Sequence, residues 1–152
     1  MIDSMPRTTL TVNQMRADQC YAYLIADPDT REAALVDPRA DRVEDYLREL
    51  DARGWRLRAV IETHTHADHL SGATELRART GAEILLSVAA TSEVATGRLR
   101  DGDRVAVGGH QMQVLASPGH SLPTHYHFNQ IPTRAGKPVT RHRDETASWA
   151  CR

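Results

Sequence analysis

The densest chemistry in the chain lies in six consecutive positions, His64-Thr65-His66-Ala67-Asp68-His69. Imidazole nitrogens and carboxylate oxygens are ligands for divalent transition metals. Histidines two apart in an extended segment project to the same side of the backbone, so His64 and His66 aim two imidazoles at one spot. Asp68 continues that alternation, while His69 faces elsewhere and can serve a neighbouring metal. Four ligand-type residues in so short a stretch are read as a metal site rather than as a polar loop, with Asp68 also the candidate catalytic carboxylate. Ser117-Pro118-Gly119-His120 offers a further ligand. His120 follows a strand ending at Leu115, much as the first cluster follows a strand ending near Glu62, and two strand ends in one sheet can meet. His125 and His127 form another His-x-His, but no strand pattern surrounds them, so they are read as incidental histidines of a loop. His110 and His142 are read as surface residues, and Cys20 as a small core residue.

These side chains need elements to hold them. Thr8 to Val12, Cys20 to Ala26 and Ala33 to Val36 are rich in strand formers and are punctuated by Asp27-Pro28-Asp29 and by Pro38, which predicts antiparallel strands with a tight connection. From Ala40 to Arg53 the period changes: Val43, Tyr46, Leu47 and Leu50 fall at i, i+3, i+4 and i+7, an amphipathic helix with Gly54 as its stop. Leu57 to Glu62 reads as a buried strand whose end delivers the histidine cluster, the position where open α/β sheets place ligands. A second helix is expected from about Ser71 to Arg79, and its N-terminal dipole favours Asp68 as a carboxylate. Ile84-Leu85-Leu86 reads as a short strand. Arg104 to Val107 and Met112 to Leu115 read as a hairpin around Gly108-Gly109. Beyond His120 no period of 2 or 3.6 persists. Residues 121–152 carry five Lys/Arg against two Asp/Glu, a net of +3, whereas residues 1–120 sum to −4. This tail, 121–152, is expected to be irregular, and the organised domain is placed at residues 7–120.

The chain's 152 residues suffice for one domain with a sizeable core. A formal charge of −1 without a dense Lys/Arg cluster argues against a nucleic-acid partner. No apolar run approaches the ~20 residues of a membrane helix. The first residues lack the charged-then-apolar pattern of a secretory signal. Cys20 and Cys151 are too few and too far apart for a disulfide framework or a thiolate zinc site. A soluble, cytoplasmic protein is the expectation.

The cluster His64-Thr65-His66-Ala67-Asp68-His69 resembles the HxHxDH signature of the metallo-β-lactamase superfamily, and Ser117-Pro118-Gly119-His120 is similar to its next ligand-bearing turn. Within the superfamily the text resembles the persulfide dioxygenases, or sulfur dioxygenases, most. The similar stretches are Cys20 to Asp27, Arg31 to Pro38, Thr63 to Gly72 and Ala116 to His120. Glyoxalase II thioesterases share much of it. The resemblance implies an α/β fold, an αβ/βα sandwich with the metal site at one edge between two sheets. For a dioxygenase it implies one iron(II) held by His64, His120 and an aspartate, with glutathione persulfide and O2 as substrates and sulfite and glutathione as products. His66, Asp68 and His69 then shape the site. For a hydrolase it implies zinc held by His64, His66 and His120, with Asp68 and His69 beginning a second site and water activated to attack a glutathione thioester.

The family's next motif is a strand ending in Gly-Asp, and no Gly-Asp follows His120. The fold is therefore expected to be truncated to its first half, with the second sheet absent. Open apolar faces and strand edges then favour a homo-oligomer. A third reading follows, that of a catalytically incomplete fragment that binds a metal.

Overall fold

The computed structural model describes residues 9–18, 20–63 and 70–117, and the backbone of 125–131. A six-stranded sheet runs in the order β1 (Thr11–Ala17), β2 (Cys20–Asp27), β3 (Glu32–Val36), β4 (Arg56–Ile61), β5 (Glu83–Ser87) and β6 (Gly97–Leu99). The first three strands are antiparallel neighbours, and β3 to β6 are parallel. Two helices, α1 (Val43–Arg53) and α2 (Ala73–Thr80), connect β3 to β4 and β4 to β5. A second, antiparallel sheet of three strands contains β7 (Arg104–Val107), β8 (His110–Ser117) and β9 (His125–Ile131).

Alternation along β2 builds both sides of the first sheet. Leu24 and Ala26 join Leu35, Val60, Ile84 and the helix residues Val43, Tyr46, Leu50 and Leu76 in one core. Tyr23 and Ile25 join Val36, Ile61, Val105, Val107, Met112 and Val114 in the other. The order of layers is helices, sheet, sheet, and a strand buried on both faces reads as a continuous apolar run. Among the described residues no helix is long and apolar enough to cross a membrane.

Most expected elements are present. The helix read from Ala40 begins as a 3-10 turn over Ala40–Arg42 before α1, and Gly54 closes α1 in the left-handed region at φ 65°. The first strand lies later than expected, at Thr11–Ala17, because its register is set by the tight turn into β2, which pairs Ala17 with Cys20 and holds Asp18 at φ 56°. Strand β6, only three residues long, had no pattern to betray it.

Three expectations are corrected. The second sheet is not absent: the Gly108-Gly109 hairpin is its beginning, and Val105, Val107, Met112 and Val114 are buried against the first sheet. The stretch after His120 is not irregular throughout, because His125–Ile131 pairs along β8 from Ser117↔His125 to Gln111↔Ile131. An edge strand with unpaired backbone groups can recruit a segment of weak intrinsic pattern. His125 and His127 thus lie in a strand rather than a loop. His110 is not a surface residue; it is 6% exposed, at the start of β8.

Candidate metal centre

The residues singled out as ligands, His64, His66, Asp68, His69 and His120, lie outside the described residues, as does His142. The structure does describe what holds the two strands that lead to these candidate ligands.

Strand β4 leads into the histidine cluster. Its last rows pair Val36 with Ile61, and the chain continues through Glu62 and Thr63, both buried. Asp37, at the end of β3, grips this exit. Its carboxylate accepts from the Thr63 backbone N–H at 2.8 Å and from Thr63 Oγ1 at 2.5 Å, and its own N–H donates to the Ile61 carbonyl at 2.8 Å. Asp37 is 4% exposed and holds φ at 51°, a left-handed conformation that Asp tolerates better than most residues. The following turn grips the far end of the cluster. The Gly72 N–H donates to the Pro38 carbonyl at 2.8 Å, the Ala40 N–H donates to the Leu70 carbonyl at 2.8 Å, and Arg39 bridges Ser71. Gly72 suits this contact because a Cβ there would lie 2.8 Å from the Arg39 carbonyl oxygen and 2.9 Å from Val43 Cγ2. The turn is itself tied to α1, since the Arg39 N–H donates to the buried Tyr46 hydroxyl at 3.1 Å. Burial pushes the Tyr46 hydroxyl above the usual tyrosine range, and the Arg39 hydrogen bond pulls against it. One turn, residues 37–40, therefore fixes both ends of the segment 64–69. Leu70, at the rim, is 81% exposed.

Strand β8 leads toward His120, and its direction follows from a second grip at the opposite edge. Asp27, at the end of β2, accepts from the Gly109 N–H at 2.7 Å and from the Asp29 N–H at 3.0 Å, with His110 Nε2 at 4.0 Å. Burial alone would raise the Asp27 carboxyl. The hydrogen bonds from Gly109, Asp29 and the Thr30 side chain outweigh it, and with His110 they hold the group below the usual carboxylate range. Gly108 sits at φ 57° in this turn, where a Cβ would lie 2.3 Å from Asp27 Oδ2 and 2.1 Å from Thr30 Oγ1. Through Glu32, Asp27 is level with Arg56, the first residue of β4. So β8 begins level with the start of β4, and Val114 shares a core with Ile61. Over its eight residues β8 advances roughly 23 Å, at ~3.3 Å per residue, away from the Asp27 grip. Strands β4 and β8, which lead to the two candidate ligand segments, belong to different sheets, not to one sheet as the sequence suggested.

This layered arrangement has known relatives. The sequence pattern of the Metallo-beta-lactamase superfamily matches residues 15–129. The chain belongs to the metallo-beta-lactamase superfamily. The superfamily match runs beyond His120 into β9. A hydroxyacylglutathione hydrolase of Cereibacter sphaeroides is 39% identical over 105 residues, covering 67% of this chain and 40% of that protein. One of Methylococcus capsulatus is 36% identical over 103 residues, covering 66% and 40%. The chain thus spans about 40% of the length of these curated relatives. Among solved structures, that of ETHE1 from Myxococcus xanthus superposes with a TM-score of 0.73 at 36% identity, covering 78% of this chain and 53% of that one.

The donor set suits the metal binding that membership implies. Three imidazoles and one carboxylate within 64–69 match a borderline ion such as zinc or iron(II). Among the described residues, no other group of three His, Cys, Asp or Glu side chains is arranged to hold a metal ion. Sequence reasoning missed Asp37 as the residue that shapes this edge; an Asp before a proline at a strand end was the available signal.

Proposed function

We propose that the edge shared by the ends of β4 and β8 is a metal centre, and that the chain carries the metal-holding part of a glutathione-linked metalloenzyme. The single observation that supports it most is the core that Ile61 of β4 shares with Val114 of β8, since the first strand leads in sequence to His64 and the second to His120. His64, His66 and His120 are the proposed imidazole ligands, with Asp68 and His69 beside them. A bound divalent ion supplies Lewis acidity and open coordination positions to this edge. Asp37 fixes where the 64–69 segment leaves the sheet, and the buried Ile61, Val114 and Tyr23 keep water from the floor beneath it.

The first reading of the reaction is oxidation of glutathione persulfide by O2, with iron(II) held by His64, His120 and a carboxylate. It is supported by the text of residues 20–38 and 63–72 and by the 36% likeness to ETHE1 of Myxococcus xanthus. The second is zinc-dependent hydrolysis of a glutathione thioester, with Asp68 and His69 reaching toward a second ion. It is favoured by relatives named hydroxyacylglutathione hydrolase. Oxygen uptake with glutathione persulfide after anaerobic iron loading tests the first. Release of glutathione from S-lactoylglutathione after zinc loading tests the second. Metal binding with neither activity would leave a catalytically incomplete metal-binding chain.

A further inference from the structure

We propose that Glu62 and Ser71 form a latch that joins the two flanks of residues 64–69 and so sets the metal affinity of the proposed ligands between them. The inference rests on the metal-centre reading above. It concerns residues that flank the ligands, not the ligands.

Glu62 is a carboxylate 6% exposed, immediately after β4. Its neighbours in the strand divide between the two faces, Val60 toward the helices and Ile61 toward the second sheet. Glu62 continues the alternation onto the helix side, where Ser71 meets it. The Ser71 hydroxyl donates to Glu62 Oε1 and accepts from the Ala73 N–H at 3.0 Å. That N–H is the first of α2, one of the donors a helix leaves unpaired at its start. Helix start, serine and buried carboxylate thus form one hydrogen-bonded chain, with the carboxylate near the positive end of the helix dipole.

Ser71 lies nine positions after Glu62. A fully extended chain would put the two positions roughly 30 Å apart, at ~3.3 Å per residue, yet the side chains of Glu62 and Ser71 are in hydrogen-bond contact. The two flanks of the segment that carries His64, His66, Asp68 and His69 are therefore joined directly, side chain to side chain. Asp37 and the turn after it hold each flank to β3; among the described residues, the Glu62–Ser71 bond joins flank to flank. Fixing the flanks removes conformational freedom that the ligands would otherwise lose when they converge on an ion. Residues just outside the ligand set typically change metal affinity by ~10- to 100-fold when removed.

The test measures the zinc(II) dissociation constant of the whole chain by competition with a chromophoric chelator, beside the melting temperature of the metal-free protein. Ser71→Ala and Glu62→Leu are each expected to weaken zinc by ~10- to 100-fold. The double variant should be no weaker than the worse single one, because the two residues act as a unit. Ser71→Thr, which keeps the hydroxyl, should stay near wild type. Should Glu62→Leu fail to fold, Ser71→Ala against Ser71→Thr still decides the matter. A merely structural role would lower the melting temperature and leave the dissociation constant unchanged. Tight wild-type binding with Ser71→Ala within ~3-fold of it, or fully additive single effects, would overturn the latch alone. A wild-type chain that binds no zinc or iron(II) would overturn the metal centre, and the latch with it.

Discussion

Replacing Asp37 by alanine removes the grip at the end of β4, and the structure sets the size of the loss. Its carboxylate accepts two hydrogen bonds from Thr63, at 2.8 and 2.5 Å, and Thr63 is fully buried. A hydrogen bond to a charged group contributes ~1.5–3 kcal/mol, and donors left unpaired in the interior forfeit that without recovering water. Alanine also suits the φ of 51° less well than aspartate, which adds ~1 kcal/mol. Relief of the buried charge offsets part of this, leaving about 3–5 kcal/mol, a large share of the ~5–15 kcal/mol that holds a typical domain together. Asp37→Asn keeps one acceptor oxygen, and its amide can donate to a reoriented Thr63 hydroxyl, so about 1–2 kcal/mol is expected. Urea unfolding at neutral pH measures both. Should Asp37→Ala be unfolded from the outset, Asp37→Asn remains measurable. An alanine variant within ~1 kcal/mol of wild type would refute the claim that this carboxylate organises the site edge.

Asp27 carries a pH prediction. Its carboxyl lies below its unfolded value, so it contributes stability above the unfolded pKa, near ~3.9, and loses it as pH falls through the folded value. Between pH 5 and pH 2, by urea unfolding at each pH, Asp27→Asn should therefore lose less stability than wild type while starting lower; parallel curves would contradict this. Gly108→Val places a branched side chain where Cβ already collides with Asp27 and Thr30 at positive φ, and should cost ~2–4 kcal/mol in the same assay. Tyr46→Phe leaves the Arg39 N–H without its acceptor and should cost ~1–2 kcal/mol, with faster amide exchange at Arg39; unchanged exchange would separate the turn from α1.

Much of this fold was legible because its periods are strong. The Val43, Tyr46 and Leu50 stripe, the apolar run of β2 and the Gly108-Gly109 turn each state their element locally. What sequence did not show is what depends on partners far along the chain. His110 reads as an ordinary polar residue until the hairpin tucks it against Asp27, 83 positions earlier. Residues 125–131 carry little pattern of their own, and their strand exists through pairing with β8. The assignment of β7 and β8 to a second sheet follows from the Asp27 grip and the shared core, neither of which has a local signature. At the site, the proposed ligands rest on residue type and spacing, and they lie outside the described residues. The turn at residues 37–40, which decides where they emerge, was not legible, since its work is done through backbone groups.

If imidazoles carried on from the ends of two different sheets share one ion, the whole chain must bind metal through both His64 and His120. Equilibrium dialysis against zinc(II) and, anaerobically, iron(II) should show tight binding by the wild type and its loss in both His64→Ala and His120→Ala, with melting temperatures of the metal-free proteins little changed. Tight binding that survives His120→Ala undiminished would mean that the segment after β8 supplies no ligand, and the shared metal centre would be refuted.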